Sequence, residues 1–153
     1  MADPYAKLAE LGLKLPDVAP PLAAYVPAVR TGNYVYVSGQ LPLADGKLIA
    51  TGKVGDEITT EQGKELAARC ALNGLAALES AVGLGKVVRI VKVVGFVASA
   101  PGFTDQPTVI NGASELFGEV LGEAGRHARS AVGVAELPRN APVEVELIAE
   151  VSD

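Results

Sequence analysis

The sequence predicts a single α+β domain, one mixed β-sheet with two long helices packed on one face, and three observations carry that prediction. A capping signal at residues 59–62 opens a helical stripe of apolar and small side chains. A second helical stripe starts near Pro107. The segments around these stripes are short, rich in β-branched residues or strictly alternating, and so read as strands. A length of 153 residues suits one domain with a sizeable core.

Taken in order, Asp3-Pro4 with Tyr5, Leu8, Leu11 and then Gly12 reads as a short helix with an N-cap, a first-turn proline and a glycine stop. We assign residues 1–22 to an N-terminal helical extension and residues 23–153 to the domain proper. Pro16, Pro20 and Pro21 forbid regular structure until Tyr25. Residues 26–29 and 34–38 then flank Thr31-Gly32-Asn33 as a hairpin. Residues 47–50 suit a further short strand. Thr59 and Gln62 form a capping box for a helix whose buried stripe is Ala67, Cys70, Ala71, Gly74, Leu78, Ala81 and Val82. Small residues there imply close packing on a sheet.

Residues 87–98 read as one long strand, and Pro101-Gly102 as a turn. The second helix buries Ile110, Ala113, Phe117, Val120 and Leu121 and ends at Gly122 and Gly125. Residues 129–135 form another strand. In the last strand Val143, Val145, Leu147, Ala149 and Val151 alternate with Glu144, Glu146, Ile148 and Glu150. We expect these final two strands to form a hairpin. One sheet face is left uncovered while carrying Val and Ile side chains, which points to burial by partner subunits.

Composition narrows the function. Thirteen basic residues against eighteen acidic ones give a net charge of -5 with no Lys/Arg cluster, so nucleic-acid binding is not expected. A lone cysteine precludes an intrachain disulfide, and the N-terminus has no signal-peptide pattern, so a cytoplasmic location is expected. The apolar run at residues 87–100 is interrupted by Arg89 and Lys92 and is too short to span a bilayer. One His and one Cys without ligand spacing leave no basis for a metal site. Gly83-Leu84-Gly85-Lys86 resembles the end of a phosphate loop, but Ser80 and Val87 occupy the places of its first glycine and its hydroxyl residue.

Among the chemistry-bearing residues, Cys70 falls on an apolar stripe and reads as core. His127 lies two residues before Arg129, so an extended segment points both to one side, which suits a general base. A solvent-facing loop histidine is the plainer expectation. Glu144 and Glu146 fit the solvated face of a strand, and their pattern alone promotes neither. Arg129 opens a strand of small residues that leaves room beside a guanidinium, the group best suited to hold a carboxylate bidentately.

The stretch Ala128-Arg129-Ser130-Ala131-Val132-Gly133-Val134-Ala135-Glu136-Leu137-Pro138, continuing through Val143-Glu144-Val145-Glu146-Leu147-Ile148-Ala149, resembles the signature of the YjgF/RidA family. Tyr25, Gly32-Asn33 and Val37-Ser38-Gly39-Gln40-Leu41-Pro42 are similar to that family's first hairpin. Asn73, Leu78-Glu79, Val87-Val88 and Val109-Ile110-Asn111 follow the family's order, so the resemblance covers about residues 23–151. It implies a chorismate-mutase-like fold, a homotrimer with a central β-barrel, and clefts between subunits. It further implies cofactor-free hydrolysis of 2-imino or enamino acids to 2-oxo acids and ammonia. By position, Arg129 would grip the substrate carboxylate and Glu144 would position or activate water, while Tyr25, Ser38, Gly39 and Asn111 would line the cleft. Backbone N–H groups near Gly39 or Ala131 would face developing negative charge. Three departures mark a divergent branch. Ala131 stands where many members have cysteine, Ala23-Ala24-Tyr25 replaces Gly-Pro-Tyr, and residues 98–107 lack the usual acidic turn. The alternative is a non-catalytic protein that senses a small carboxylate such as a 2-oxo acid.

Overall fold

A computed structural model describes residues 3–18 and 24–153. The predicted break at Pro20 and Pro21, the departure at Ala23 and the boundary after residue 22 lie outside the described residues. Helix α1 (Pro4–Glu10) is capped by the Asp3 side chain and carries Pro4 in its first turn. Of its apolar residues, Leu8 is buried in the core, whereas Tyr5 and Leu11 stay exposed. Tyr5 instead donates its hydroxyl to Glu79 at 2.8 Å.

The main sheet is built from β1 (Ala28–Thr31), β2 (Tyr34–Gln40), β5 (Val87–Ala98), β6 (Ala128–Val134) and β7 (Val143–Val151), in the order β1-β2-β7-β5-β6. Strands β1 and β2 form the hairpin expected around Gly32-Asn33, with Thr31 opposite Tyr34, although β1 starts two residues later than the sequence suggests. Strand β4 (Lys47–Leu48) pairs with β3 (Leu43–Ala44) in a separate two-stranded ribbon. Both are too short to extend the main sheet.

The expected terminal hairpin does not form. β7 inserts antiparallel between β2 and β5, and β6 runs parallel to β5 at the edge. The reason lies in side-chain burial. β7 hides Val143, Val145, Leu147, Ala149 and Val151 completely, so it belongs in the sheet centre, while β6 buries none of its residues fully. Centring the more apolar strand removes more surface from water, at roughly 25 cal/mol per Å². A parallel neighbour for β5 is reached through the intervening helix, as a crossover requires.

Helices α2 (Thr60–Ala81) and α3 (Gln106–Leu121) cover one face of this sheet. The capping box at Thr59 and Gln62 is present in both directions. The predicted α2 stripe is buried through Leu78, while Ala81 is exposed and Val82 half-buried where the helix ends. Cys70 is fully buried, and burial, with Glu144 as a lesser cause, raises its thiol pKa well above the ordinary value. The predicted α3 stripe is buried throughout. Gly112 lets α3 approach α2, because a Cβ there would strike the Lys64 carbonyl. Among the described residues no helix is long and apolar enough to cross a membrane.

The opposite face has no cover from the described residues. Tyr34, Tyr36 and Val132 are all more than two-fifths exposed there, beside the acidic row Glu144, Glu146 and Glu150.

Candidate functional site

The seven residues picked from the sequence fall into two groups separated by the sheet. Arg129 lies on β6 opposite Val93, which is itself opposite Leu147, and both of those are core residues beneath the helices. Alternation therefore turns Arg129 toward α3. Ala131, two residues on, shares that face and packs partly against the core. Asn111 projects from α3 toward the same spot.

The guanidinium is held from one side. Nη1 donates to Asn111 Oδ1 at 2.8 Å and to Ser114 Oγ at 3.1 Å. Nη2 has a longer contact of 3.5 Å with the Pro107 carbonyl. Both Nη1 hydrogens are thus committed, whereas Nε has no acceptor among the described residues. The Nε–Nη2 edge is the pair of parallel donors that fits a carboxylate.

Ser114 of this group escaped the sequence reading, and His127 was weighed there without being assigned to the site. Ser114 stands one helical turn after Asn111, and that spacing was the available signal. His127 is not the solvent-facing loop residue expected. Its ring is half-buried, stands edge-on to Phe117 at 5.9 Å between centroids, and bonds Ser114 Oγ through Nε2 at 2.9 Å and the Gly125 carbonyl through Nδ1 at 2.6 Å. Burial lowers its pKa, the Gly125 bond opposes that, and the Arg129 charge adds to it.

The second group lies on the open face and at the β2 end. Glu144 is opposite Phe96, in the register that also holds Val132, and so points away from the helices. Its carboxylate lies over Gly39, where a Cβ would collide with it. Burial raises the Glu144 pKa above the ordinary carboxylate value, and the neighbouring Glu146 raises it further. Ser38 donates its hydroxyl to the Val26 carbonyl at 2.6 Å, and its N–H bonds the Pro27 carbonyl at 2.9 Å. These bonds tie the segment after Tyr25 to β2, whose register shifts between Val37 and Gln40. Tyr25 itself is 60% exposed.

Within one chain, then, Arg129, Asn111 and Ala131 stand together, as do Ser38, Gly39, Glu144 and the Tyr25 segment. The structure does not bring the two groups to each other, because β5 and the thickness of the sheet intervene. Two surface recesses, of about 260 Å³ beside Lys64 and Glu115 and about 420 Å³ beside Leu15 and Glu79, touch neither group.

Comparison with known proteins adds the family. The family model described as endoribonuclease L-PSP matches residues 16–151. Protein TCP17 of Trypanosoma cruzi is 46% identical over 150 residues, covering 97% of this chain and 94% of that protein. A 2-iminobutanoate/2-iminopropanoate deaminase of Dermatophagoides farinae is 34% identical, covering 89% of this chain and 92% of the relative. The crystal structure of protein Atu1372 from Agrobacterium tumefaciens superposes with a TM-score of 0.91 at 48% identity, over 97% of this chain and 93% of that one. On a match that runs through nearly all of the sheet and both long helices, the chain belongs to the YjgF/RidA family.

Proposed function

We propose that this protein hydrolyses reactive 2-imino or enamino acids to 2-oxo acids and ammonia, in clefts formed where the two residue groups of neighbouring copies meet in a homotrimer. The observation that carries this reading is the anchored guanidinium of Arg129, with Nη1 fixed by Asn111 and Ser114 and the Nε–Nη2 edge left for a carboxylate. The deaminase name of the Dermatophagoides farinae relative supports the reaction class. The uncovered sheet face supports assembly, with its tyrosines and valines gaining burial against further copies. Association through that face would carry Glu144, Gly39 and Ser38 of one copy toward Arg129 of the next.

In this scheme Arg129 fixes the carboxylate and so orients the adjacent imine carbon. The imine enters protonated on nitrogen, and Glu144 removes a proton from water as the oxygen attacks that carbon, giving a neutral carbinolamine. The same carboxyl group then returns that proton to the amino nitrogen, the C–N bond breaks as ammonia leaves, and the carbinol O–H proton passes to the freed Glu144 carboxylate as the C=O of the 2-oxo acid forms. Partial burial makes Glu144 a stronger base than a solvated carboxylate, which suits both transfers. No cofactor enters this balance. The net charge of -5 and a single histidine already bonded to Ser114 and Gly125 speak against RNA as the substrate.

The test is an amino-acid oxidase reaction that releases imino acids in situ, with ammonia and 2-oxo acid followed with and without the protein. Faster release supports deamination. No acceleration across varied side chains, together with calorimetric binding of 2-oxobutyrate, would leave carboxylate sensing as the function. A monomer mass by light scattering at micromolar concentration would remove the interface site.

A further inference from the structure

We propose that His127 is a positioning residue for Arg129, acting through Ser114 as a neutral imidazole that carries its proton on Nδ1. The proposal rests on the reading of Arg129 as the carboxylate grip.

The direction of each bond follows from what its atoms can do. A carbonyl oxygen only accepts, so the 2.6 Å contact with Gly125 requires the hydrogen on Nδ1. In the neutral ring Nε2 is then an acceptor, and the 2.9 Å contact with Ser114 must use the serine proton. With its proton committed to His127, Ser114 Oγ offers its lone pairs to Arg129 Nη1 at 3.1 Å. The order is Arg129 to Ser114 to His127 to Gly125, each group donating to the next.

Either change of state breaks this order. A hydrogen on Nε2 in place of Nδ1 would set a lone pair against the Gly125 carbonyl. Protonation of both nitrogens would make His127 and Arg129 rival donors to one hydroxyl. Burial lowers the His127 pKa and the Arg129 charge lowers it further, in keeping with a neutral ring. Charges on the neighbouring elements make no ion pair or hydrogen bond with the ring among the described residues. In the short 3-10 turn Gly122–Gly125 that follows α3, Glu123 pairs with Arg126 just beyond it. On α3, Glu115 pairs with Lys64, and Glu119 lies with it beside the α2 recess. On β5, Arg89 bonds the Arg126 carbonyl, and Lys92 is turned to the opposite face from Val93.

The arrangement explains why a half-buried histidine stands two residues before the arginine. Asn111 fixes one Nη1 hydrogen, and the second needs an acceptor whose own hydrogen is directed elsewhere. A serine alone could turn either way. His127 removes that freedom, so the Nε–Nη2 edge keeps one orientation.

This chain has one histidine, so nitrogen NMR of the imidazole is free of overlap. At pH 7.5 the expected spectrum is that of the Nδ1–H tautomer, with Ser114→Ala shifting the Nε2 resonance as its donor is lost. An Nε2–H tautomer, or an Nε2 signal indifferent to Ser114→Ala, overturns the relay. Calorimetric titration with 2-oxobutyrate tests its purpose. His127→Leu and Ser114→Ala should each weaken binding by about fivefold, with the double variant no worse than either, the loss expected for one hydrogen bond. His127→Gln, whose amide oxygen can accept from Ser114, should restore binding to within about twofold of the parent. Thermal melts of each variant confirm that the protein is folded. Equal binding by folded Leu and Gln variants overturns the positioning role. Failure of the parent protein to bind 2-oxobutyrate overturns the carboxylate reading instead, and the tautomer and its response to Ser114→Ala then decide alone whether the relay exists.

Discussion

The two residue groups differ in how far one chain completes them. Arg129 is supported by its own subunit, with Asn111 and Ser114 from α3 fixing one side of the guanidinium. Glu144 lies over a glycine on a face that the described residues leave open, and loss of solvent is the main cause of its raised pKa, with no stabilising partner among the described residues. A binding group gains from being held still, because orientation lost on binding costs affinity. A proton-transferring group gains from an environment that makes it basic, and partial burial without a counter-charge does that. On the function proposed above, the difference separates a preorganised anion grip from a carboxylate whose surroundings a second copy would finish.

The largest expected effect tests the chemical half. Glu144→Gln should lower turnover of imino acids by about a hundredfold or more, the usual scale for losing a general base, while Glu146→Gln changes it little. Equal losses in the two steady-state assays would mean that the charge of this face matters and a specific base does not.

On the binding half, Arg129→Lys should weaken 2-oxobutyrate by about tenfold to a hundredfold, since one compact ammonium replaces two parallel donors, a difference of roughly 1.5–3 kcal/mol. Calorimetry reads this directly. Tight binding by the lysine variant would make Arg129 structural and erase the contrast between the halves.

A stability effect on the same scale separates core from site. Cys70→Ser should cost on the order of 1 kcal/mol in urea unfolding, because a hydroxyl replaces a fully buried thiol. Ligand affinity should not change.

The smallest effect has an opposite sign. Because the folded protein raises the Glu144 pKa, protonation favours folding: that stabilisation is present below the unfolded carboxylate pKa and is lost as pH rises through the folded value. Glu144→Gln should therefore melt slightly higher than the parent at pH 7, with the gap closing below about pH 4. A lower melting temperature at pH 7 would show that the carboxylate is stabilised by contacts and not strained by burial.

Much of this molecule was legible in local pattern. The capping box at Thr59 and Gln62, the β-branched run of β5 and the buried stripe of α3 each depend on residues within a few positions of one another, and the structure contains all three. Arg129 and Glu144 became candidates through the family signature around them, since the alternation of the last strand by itself promotes neither Glu144 nor Glu146. The side that His127 shares with Arg129 was legible too, but its bond to Ser114 was not, since that partner is thirteen residues away and reaches it only after α3 packs beside β6.

Strand order shows the same limit. The last two strands are neighbours in the chain, and sequence reasoning pairs them; the folded sheet instead sends the more apolar β7 to the centre and leaves β6 at the edge beside β5. The sequence by itself determined where the long helices and strands fall and which face of each is apolar, because these follow from spacings of two to four residues. Only the tertiary structure decided that Arg129 and Glu144 lie on opposite sides of one sheet. Which strands become neighbours is settled by burial summed over the whole core, and no short window of sequence contains that sum.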